Sequence, residues 1–314
     1  MERSPISCSA LLIALASLLL PAAMLAGVTT TVEKPALPAR DWGAVDDYII
    51  QLQRARPDRL GETAYDLIIA DIALSGSRRQ RIDDLRRSEG GPRLVVAYMS
   101  IGQAANFQYY WRREWSDALP DWIGEPDGFW AGDFWVQYWR PEWQAIILTG
   151  PDAYLDRIID LGFDGVLLDR VDAATYYEER GRETAYREMA DFVMAIAGHA
   201  RARSPGFGIF TVNGEDIGLR FPEYLNAVTG ILVEDLYYGY PRDHEPSPPD
   251  WTAEREAMLD QWVDAGKLVL TVDYTRRPAQ IDDAYARAEA RGYVPYCADR
   301  GLSRLLIHEG HEPD

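Results

Sequence analysis

The feature of this 314-residue sequence that most restricts its fold is a regular alternation of short, apolar, β-rich segments with longer amphipathic segments. The segments with strand character are 48–53, 66–72, 93–101, 134–139, 165–171, 207–213, 230–236, 267–274 and a shorter ninth, 293–299. Several amphipathic segments end in glycine just before the next strand, a common way for a helix to end. The alternation predicts βα units around a parallel sheet, and it favours a single (β/α)8 TIM-type barrel of the α/β class. A doubly wound open sheet is the alternative, although no glycine-rich phosphate-binding turn follows the first strands.

The N-terminal segment predicts export from the cytoplasm. Residues 10–26 are apolar, follow a short start that carries Arg3, and contain Pro21 before several small residues, as in a cleaved signal peptide. An uncleaved anchor is the alternative, but about 17 apolar residues is short for a membrane span. We therefore expect a secreted or periplasmic protein without a stable membrane anchor. The expected organisation is a signal peptide at 1–26, a linker at 27–40, a barrel at 41–308 and a tail at 309–314.

Charge and cysteine content exclude several classes of function. Lys and Arg number 32 against 50 Asp and Glu, a net charge of −18. This balance argues against binding to nucleic acid or to an anionic membrane, and it suits a neutral or cationic partner. With Cys8 in the predicted leader, Cys297 remains alone, and the four His are scattered or terminal. We expect no disulfide, no metal site and no cofactor. The oligomeric state is left open.

Acidic residues recur where the predicted strands end. They are Asp71, Asp169 with Asp172, Glu234 with Asp235, Asp273 and Asp299. In a β/α barrel the C-terminal ends of the strands form the active face, so these acids should meet at one mouth. Because neighbours in a strand point to opposite faces, at least one of Glu234 and Asp235 must point away. Two facing carboxylates suffice for glycoside hydrolysis, although clustered acids also suit a divalent cation. A metal-dependent esterase or deacetylase is disfavoured, because no His is predicted at a strand end.

Aromatic residues are concentrated in one part of the chain. Seven of the ten Trp lie between residues 107 and 143: Trp111, Trp115, Trp122, Trp130, Trp135, Trp139 and Trp143. This region includes a long insertion, 103–133, after the third strand. Exposed rings beside carboxylates suit a sugar-binding cleft. The alternative is that most of these rings pack the insertion onto the barrel.

Several motifs, in this order, carry a resemblance to a known family. They are LVVAYMSIGQA (94–104), FQYYW (107–111), DFWVQYWRPEWQAII (133–147), GFDGVLLDRVDA (162–173), TVNGED (211–216) and ILVEDLYYG (231–239). Together they resemble the extracellular barrel proteins of glycoside hydrolase family 114, the endo-α-1,4-polygalactosaminidases. The likeness runs from about Trp42 to Leu302. It implies hydrolysis of α-1,4-linked galactosamine polymers, which are cationic where deacetylated.

The resemblance also implies roles for individual residues. Asp169 matches the strand-end Asp of the family and is predicted to be the nucleophile, and Glu234 is predicted to be the general acid/base of a retaining mechanism. The predicted substrate-binding residues are Asp71, Tyr98, Gln103, Tyr138, Asp172, Asn213, Asp235, Asp273 and Tyr274. The alternative for Asp71, Tyr98, Asn213, Asp273 and Tyr274 is packing or a structural hydrogen bond, and for Asp172 it is a helix N-cap.

Two positions depart from the family pattern. Gln103 and Gln108 stand where the family usually has a Glu and an Arg. The change favours an alternative function, a catalytically inactive extracytoplasmic barrel that binds polysaccharide. Retention of Asp169 and Glu234 favours the hydrolase. Aminoacyl-tRNA synthetase activity, a label given to some members, is disfavoured because the chain is acidic, is predicted to be exported and lacks nucleotide-binding motifs.

Overall fold

The computed structural model describes residue 37 and residues 39–314, so the predicted signal peptide and most of the predicted linker lie outside the described residues. In the described part, the strands in chain order are β1 (Tyr48–Gln51), β2 (Leu67–Asp71), β3 (Leu94–Ser100), β4 (Gln103–Ala105), β5 (Ile123–Pro126), β6 (Asp133–Val136), β7 (Gly165–Asp169), β8 (Gly208–Val212), β9 (Gly230–Glu234), β10 (Leu268–Asp273) and β11 (Val294–Cys297). The α-helices are α1 (Pro57–Gly61), α2 (Arg79–Leu85), α3 (Pro141–Gln144), α4 (Tyr154–Asp160), α5 (Ala173–Glu178), α6 (Ala185–Arg203), α7 (Glu215–Arg220), α8 (Pro222–Ala227), α9 (Pro249–Asp264) and α10 (Pro278–Glu289).

Eight strands form one parallel sheet in the order β1-β2-β3-β7-β8-β9-β10-β11. The sheet curls until its first and last strands meet, where the rings of Tyr48 and Tyr296 lie 5.6 Å apart. Helices cover the outside, so the strand residues are buried almost throughout, as a parallel sheet requires. The result is a nearly closed barrel that confirms the predicted (β/α)8 class. All eight strands open at their C-terminal ends onto the same mouth.

One predicted barrel strand is wrong. Segment 134–139 contributes β6, which pairs antiparallel with β4 and β5 in a separate three-stranded sheet. Its alternating aromatic residues do suit a strand, but its partners β4 and β5 lie within the connection between β3 and β7. This connection, residues 101–164, is longer than the predicted insertion at 103–133 and is called the insertion from here on. The shorter ninth segment, 293–299, provides the eighth barrel strand instead. Pro295 lacks a backbone N–H donor. It is tolerated there because β11 is the last strand in the order of the sheet, where a missing donor interrupts no ladder of hydrogen bonds.

Alternation along each strand decides which side chains reach the mouth. Asp71 on β2 lies opposite Tyr98 on β3, and Ser100 on β3 lies opposite Asp169 on β7. Residues opposite one another in a parallel pair face the same side, so these four side chains all point into the barrel. Among the described residues, no helix combines the length and apolar character needed to cross a bilayer.

Candidate active site

A cavity of about 300 Å³ opens at the mouth of the barrel. It brings together both predicted catalytic acids, Asp169 and Glu234, and most of the predicted substrate contacts: Asp71, Tyr98, Gln103, Asp172, Asn213 and Tyr274. A larger and more open groove runs between α1 and α2 among Arg, Asp and Glu side chains, and it contains none of the predicted site residues. The cavity at the mouth is therefore the candidate active site.

Asp169 ends β7, and its carboxylate is held at both oxygens. The Tyr98 hydroxyl donates to Oδ2 at 2.5 Å, and the backbone N–H of Arg170 donates to Oδ1 at 2.7 Å. Burial, and after it the negative charge of Glu234, raise the pKa of Asp169 to about 7, while the hydrogen bond from Tyr98 opposes this. The two carboxylates therefore influence each other across the cavity.

Glu234 ends β9 and is held in a matching way. Tyr274 donates its hydroxyl to Oε1, and Asn213 Nδ2 donates to Oε2 at 3.0 Å. Strands β7 and β9 are the fourth and sixth of the barrel, and alternate strands contribute side chains to the same layers. Each acid therefore faces the cavity with a tyrosine hydroxyl on one oxygen and a second donor on the other.

The two tyrosine hydroxyls remain donors at neutral pH. Burial raises the pKa of Tyr98 and of Tyr274 well above its usual value, and the adjacent carboxylate of Asp169 or Glu234 raises it further. The Tyr98 hydroxyl, which keeps its proton, stabilises the charged form of Asp169.

Arg255 fixes the orientation of the Asn213 amide. Its guanidinium is buried, pairs with Glu215, donates to the backbone oxygen of Glu234 at 2.7 Å, and donates to Asn213 Oδ1 at 3.0 Å. A guanidinium has no acceptor, so the Asn213 oxygen must face it. That oxygen also accepts the backbone N–H of Glu234 at 3.1 Å, while the amide nitrogen donates to the Glu234 carboxylate. Sequence reasoning missed Arg255, because it lies 21 residues beyond Glu234 on α9 and carries no motif.

Three successive strands end in a non-glycine residue with left-handed backbone. The φ angles are +65° at Arg170, +55° at Asn213 and +59° at Asp235. Such residues cluster at functional sites, where the surrounding structure holds them against a cost of about 1–3 kcal/mol each. The turn at Asp235 directs its carboxylate to Arg300, at 2.9 and 3.2 Å, and Glu234 is the one that lines the cavity.

Three predicted substrate contacts lie outside the cavity lining and are corrected here. Asp235 is engaged by Arg300. Asp273 is fully buried and accepts the backbone N–H groups of Tyr237 and Tyr238 at 2.6 and 2.7 Å, which holds the loop after β9. Tyr138 is also fully buried, and its hydroxyl donates to the Ala185 backbone oxygen at 2.7 Å. For all three the structural alternative is the correct one.

Two further predicted contacts, Asp172 and Gln103, both line the cavity but differ in exposure. Asp172 lines the cavity, is 42% exposed, and makes no side-chain cap to α5, although it is the residue at the N-cap position. Gln103 also lines the cavity, but it is almost buried and its amide donates to Asp127 Oδ2 at 2.6 Å. A carboxylate at position 103 would face another carboxylate there, so the glutamine matches its neighbour.

Asp127, which sequence reasoning missed, attaches the turn 126–133 to the mouth. Its Oδ1 accepts the backbone N–H groups of Phe129 and Trp130 at 2.6 and 3.0 Å, and its Oδ2 accepts from Gln103 and from Arg170. The sequence Pro-Asp-Gly at 126–128 indicates a turn, but nothing in it shows that the turn folds over the barrel.

Most of the clustered tryptophans pack the insertion, as the structural alternative proposed. Trp115, Trp122 and Trp143 are buried in the core, and Trp111, Trp135 and Trp139 are partly buried and pack against it. Trp130 and Phe107 line the cavity and are 42% and 71% exposed. The cavity lining therefore includes exposed aromatic rings as well as carboxylates. In the described part of the chain, no group of three or more His, Cys, Asp or Glu side chains is placed to hold a metal ion.

Known proteins share the sequence family and the fold of this chain. The sequence model of glycoside-hydrolase family GH114 matches residues 30–312. An uncharacterized protein of Thermotoga maritima is 33% identical over 284 residues, which are 85% of each chain. One from Deinococcus radiodurans is 34% identical over 286 residues, 90% of this chain and 88% of that one.

The solved glycoside hydrolase domain of PelA from Pseudomonas aeruginosa superimposes with a TM-score of 0.66 at 20% identity, over 82% of this chain and 96% of that one. A GH13_31 enzyme gives a TM-score of 0.52 at 8% identity, over 83% of this chain and 66% of that one. At these identities the structural matches show a shared barrel fold.

Proposed function

Because the chain belongs to glycoside-hydrolase family GH114, we propose that it cleaves an amino-sugar polysaccharide of the α-1,4-linked galactosamine type, with Asp169 and Glu234 as the reacting carboxylates. The observation that carries this proposal is the pair itself. The two acids stand at the ends of alternate barrel strands, line one cavity, and are each held by a tyrosine hydroxyl and a second donor. A pair of facing carboxylates can supply both the acid and the nucleophile that glycosidic cleavage needs.

In the proposed mechanism Asp169 attacks the anomeric carbon while Glu234 protonates the leaving oxygen. The resulting ester with Asp169 is then hydrolysed by water, which Glu234 deprotonates, and the anomeric configuration is retained. Tyr98 holds the attacking carboxylate, and Tyr274 with Asn213 holds the acid/base.

A cationic substrate fits the raised pKa of Asp169. The pKa of Asp169 is raised to about 7 by burial and by the charge of Glu234, so in the empty cavity much of Asp169 holds a proton near neutral pH. An ammonium group entering the cavity favours the ionised carboxylate and lowers that pKa. The net charge of −18 also attracts a polycation.

The first test measures reducing ends released from partially deacetylated polygalactosamine. Wild type should release them, and Asp169→Asn and Glu234→Gln should not, although both variants keep the fold by circular dichroism and thermal melting. Asp264→Asn makes the same chemical change on an exposed residue of α9 and should leave activity unaltered. If wild type binds the polymer and cleaves neither it nor a panel of other glycans, the alternative of an inactive binding barrel replaces this proposal.

Azide distinguishes the two roles. In Asp169→Ala, azide can replace the missing nucleophile and attack the anomeric carbon once, so an α-linked substrate should give a β-glycosyl azide. In Glu234→Ala, azide attacks the glycosyl-enzyme and should give the α-azide. The reverse pattern would exchange the roles. Inversion by wild type, seen by NMR of the first product, would exclude a covalent intermediate.

The place of action is part of the proposal. The predicted leader at 1–26 supports a secreted or periplasmic enzyme that meets polysaccharide rather than nucleic acid. Expression of the full chain in a bacterial host, followed by N-terminal sequencing of the exported protein, should give a start near Gly27. Retention of the intact chain in the membrane fraction would contradict this.

A further inference from the structure

On the basis of the proposed function, we propose that the cavity wall between β2 and the insertion is a subsite for the protonated amine of the sugar next to the cleaved bond. Asp71, Asp133 and Tyr154 form it. These residues stand apart from the reacting pair, since Asp71 lies on the second barrel strand and the other two belong to the insertion.

Asp71 presents a carboxylate that has one internal partner. It ends β2, lines the cavity, and accepts the backbone N–H of Ala73 at Oδ1, at 2.7 Å. Among the described residues it has no ion-pair partner. Burial raises its pKa, because the surrounding protein withholds water from the charged form. A buried acid of this kind gains most from a cation that enters with the ligand.

Asp133 presents the second carboxylate of this part of the cavity lining. It begins β6 and lines the cavity, and within the described chain no side chain or backbone group donates to its carboxylate. Arg170 is close enough to oppose the effect of burial, which raises the pKa of Asp133 to about 6. That guanidinium, however, is already engaged by Asp127 and Asp172.

Tyr154 supplies the third group. It is 2% exposed, projects from α4, and lines the cavity with a hydroxyl that has no hydrogen-bond partner in the described structure. Gln108 lies near it without hydrogen-bond geometry. Burial raises the pKa of this hydroxyl, and the charge of Asp71 is the next cause, so the two groups are neighbours. Buried hydroxyls are almost always hydrogen-bonded, so a donor on a bound ligand would supply the partner that this one lacks.

A primary ammonium matches these three groups. It carries one positive charge and three donors, against two carboxylates and one phenolic oxygen that can all accept. A sugar hydroxyl brings no charge, and an N-acetyl group replaces the cation with a neutral amide. Trp130 and Phe107 in the cavity lining offer ring faces to the apolar side of the same sugar. The subsite therefore selects the deacetylated sugar.

The test compares two substrates that differ only in the acetyl group: a galactosamine tetrasaccharide and its fully N-acetylated counterpart. Asp71→Asn and Asp133→Asn should each lower kcat/KM for the amine substrate by about 10- to 100-fold, the range of one charge-assisted hydrogen bond. They should change kcat/KM for the acetylated substrate by less than about 3-fold. Asp264→Asn, the matched control, should alter neither. Equal losses on both substrates, or no loss on the amine substrate, would overturn the subsite.

A binding measurement separates failure of this inference from failure of the proposed function. Isothermal titration calorimetry should show that wild type binds the galactosamine trisaccharide. The Asp71→Asn variant, with no other change, should have a Kd about 10-fold higher or more. If wild type hydrolyses neither tetrasaccharide but this difference in binding persists, the enzyme proposal falls and the subsite stands. If hydrolysis occurs and Asp71→Asn binds the trisaccharide as tightly as wild type, only the subsite falls.

Discussion

Replacing Arg255 with Met should damage both the stability and the activity of the enzyme. The side chain is 9% exposed and pairs with Glu215, itself 6% exposed, while two of its N–H groups bind Asn213 and the backbone of Glu234. The substitution leaves the Glu215 carboxylate buried without a cation. It also removes one of the two donors that hold the Asn213 oxygen, the other being the backbone N–H of Glu234 at 3.1 Å.

The expected loss of stability follows from the burial of the Arg255–Glu215 ion pair. Removing one partner of a buried ion pair costs about 3–5 kcal/mol. For a unit the size of residues 36–314, the entropy of unfolding near 60 °C is about 0.6 kcal/mol/K, so the melting temperature should fall by about 5–8 °C. Loss of the Asn213 orientation should lower kcat by about 100-fold, as for other small displacements of a reacting group.

A double variant separates the two effects. Glu215→Met with Arg255→Met leaves no buried charge, and such replacements of a whole pair are often neutral. Its melting temperature should recover most of the loss, measured by differential scanning calorimetry, while kcat on polygalactosamine stays low. A single Arg255→Met variant that melts within about 1 °C of wild type would refute the argument on burial. Recovery of kcat in the double variant would refute the argument on Asn213.

Three further outcomes follow from the site. Tyr274→Phe should lower kcat by about 10-fold or more at nearly constant KM, because Glu234 loses a donor; steady-state kinetics with unchanged kcat would contradict this. The pKa of Asp273 is about 7 in the folded protein, so between about pH 4 and pH 7 the folded state holds a proton that the unfolded chain has lost, and stability falls as the pH rises. Asp273→Asn should make this fall less steep; melting temperatures with the same dependence on pH as wild type would count against it. Asp127→Ala should raise KM several-fold with kcat nearly constant, since the turn bearing Trp130 is released, and adding Trp130→Ala should raise KM little further; fully additive effects would disprove the link.

The sequence predicted well those features that depend on local pattern. Apolar runs set where the barrel strands end, and the acid at the end of a run then falls at the mouth, which placed Asp169 and Glu234 among seven candidate acids; the resemblance to the family then singled out these two. The choice between Glu234 and Asp235 also follows from alternation, once the structure shows which one faces inward.

Features that depend on distant partners could not be predicted. The segment 134–139 has a strand pattern, but no local pattern says that its partners are in the insertion rather than in the barrel. Arg255 and Asp127 act through residues 21 to 43 positions away, and each reads as an ordinary surface charge in the sequence. Asp273 has the sequence position of a ligand-binding acid, yet its contacts with backbone N–H groups appear only when the loop after β9 is folded.

The insertion between β3 and β7 gives this architecture a separable division of labour. The reacting carboxylates and their tyrosine and asparagine partners all belong to the barrel strands or the residues that directly follow them, whereas Trp130, Asp133 and Tyr154 belong to one continuous stretch of chain. The division is incomplete, because Asp71, the third group of the proposed subsite, belongs to barrel strand β2. Exchanging the segment between homologues should therefore alter the preference for the sugar while the proposed reaction and the contribution of Asp71 stay with the barrel.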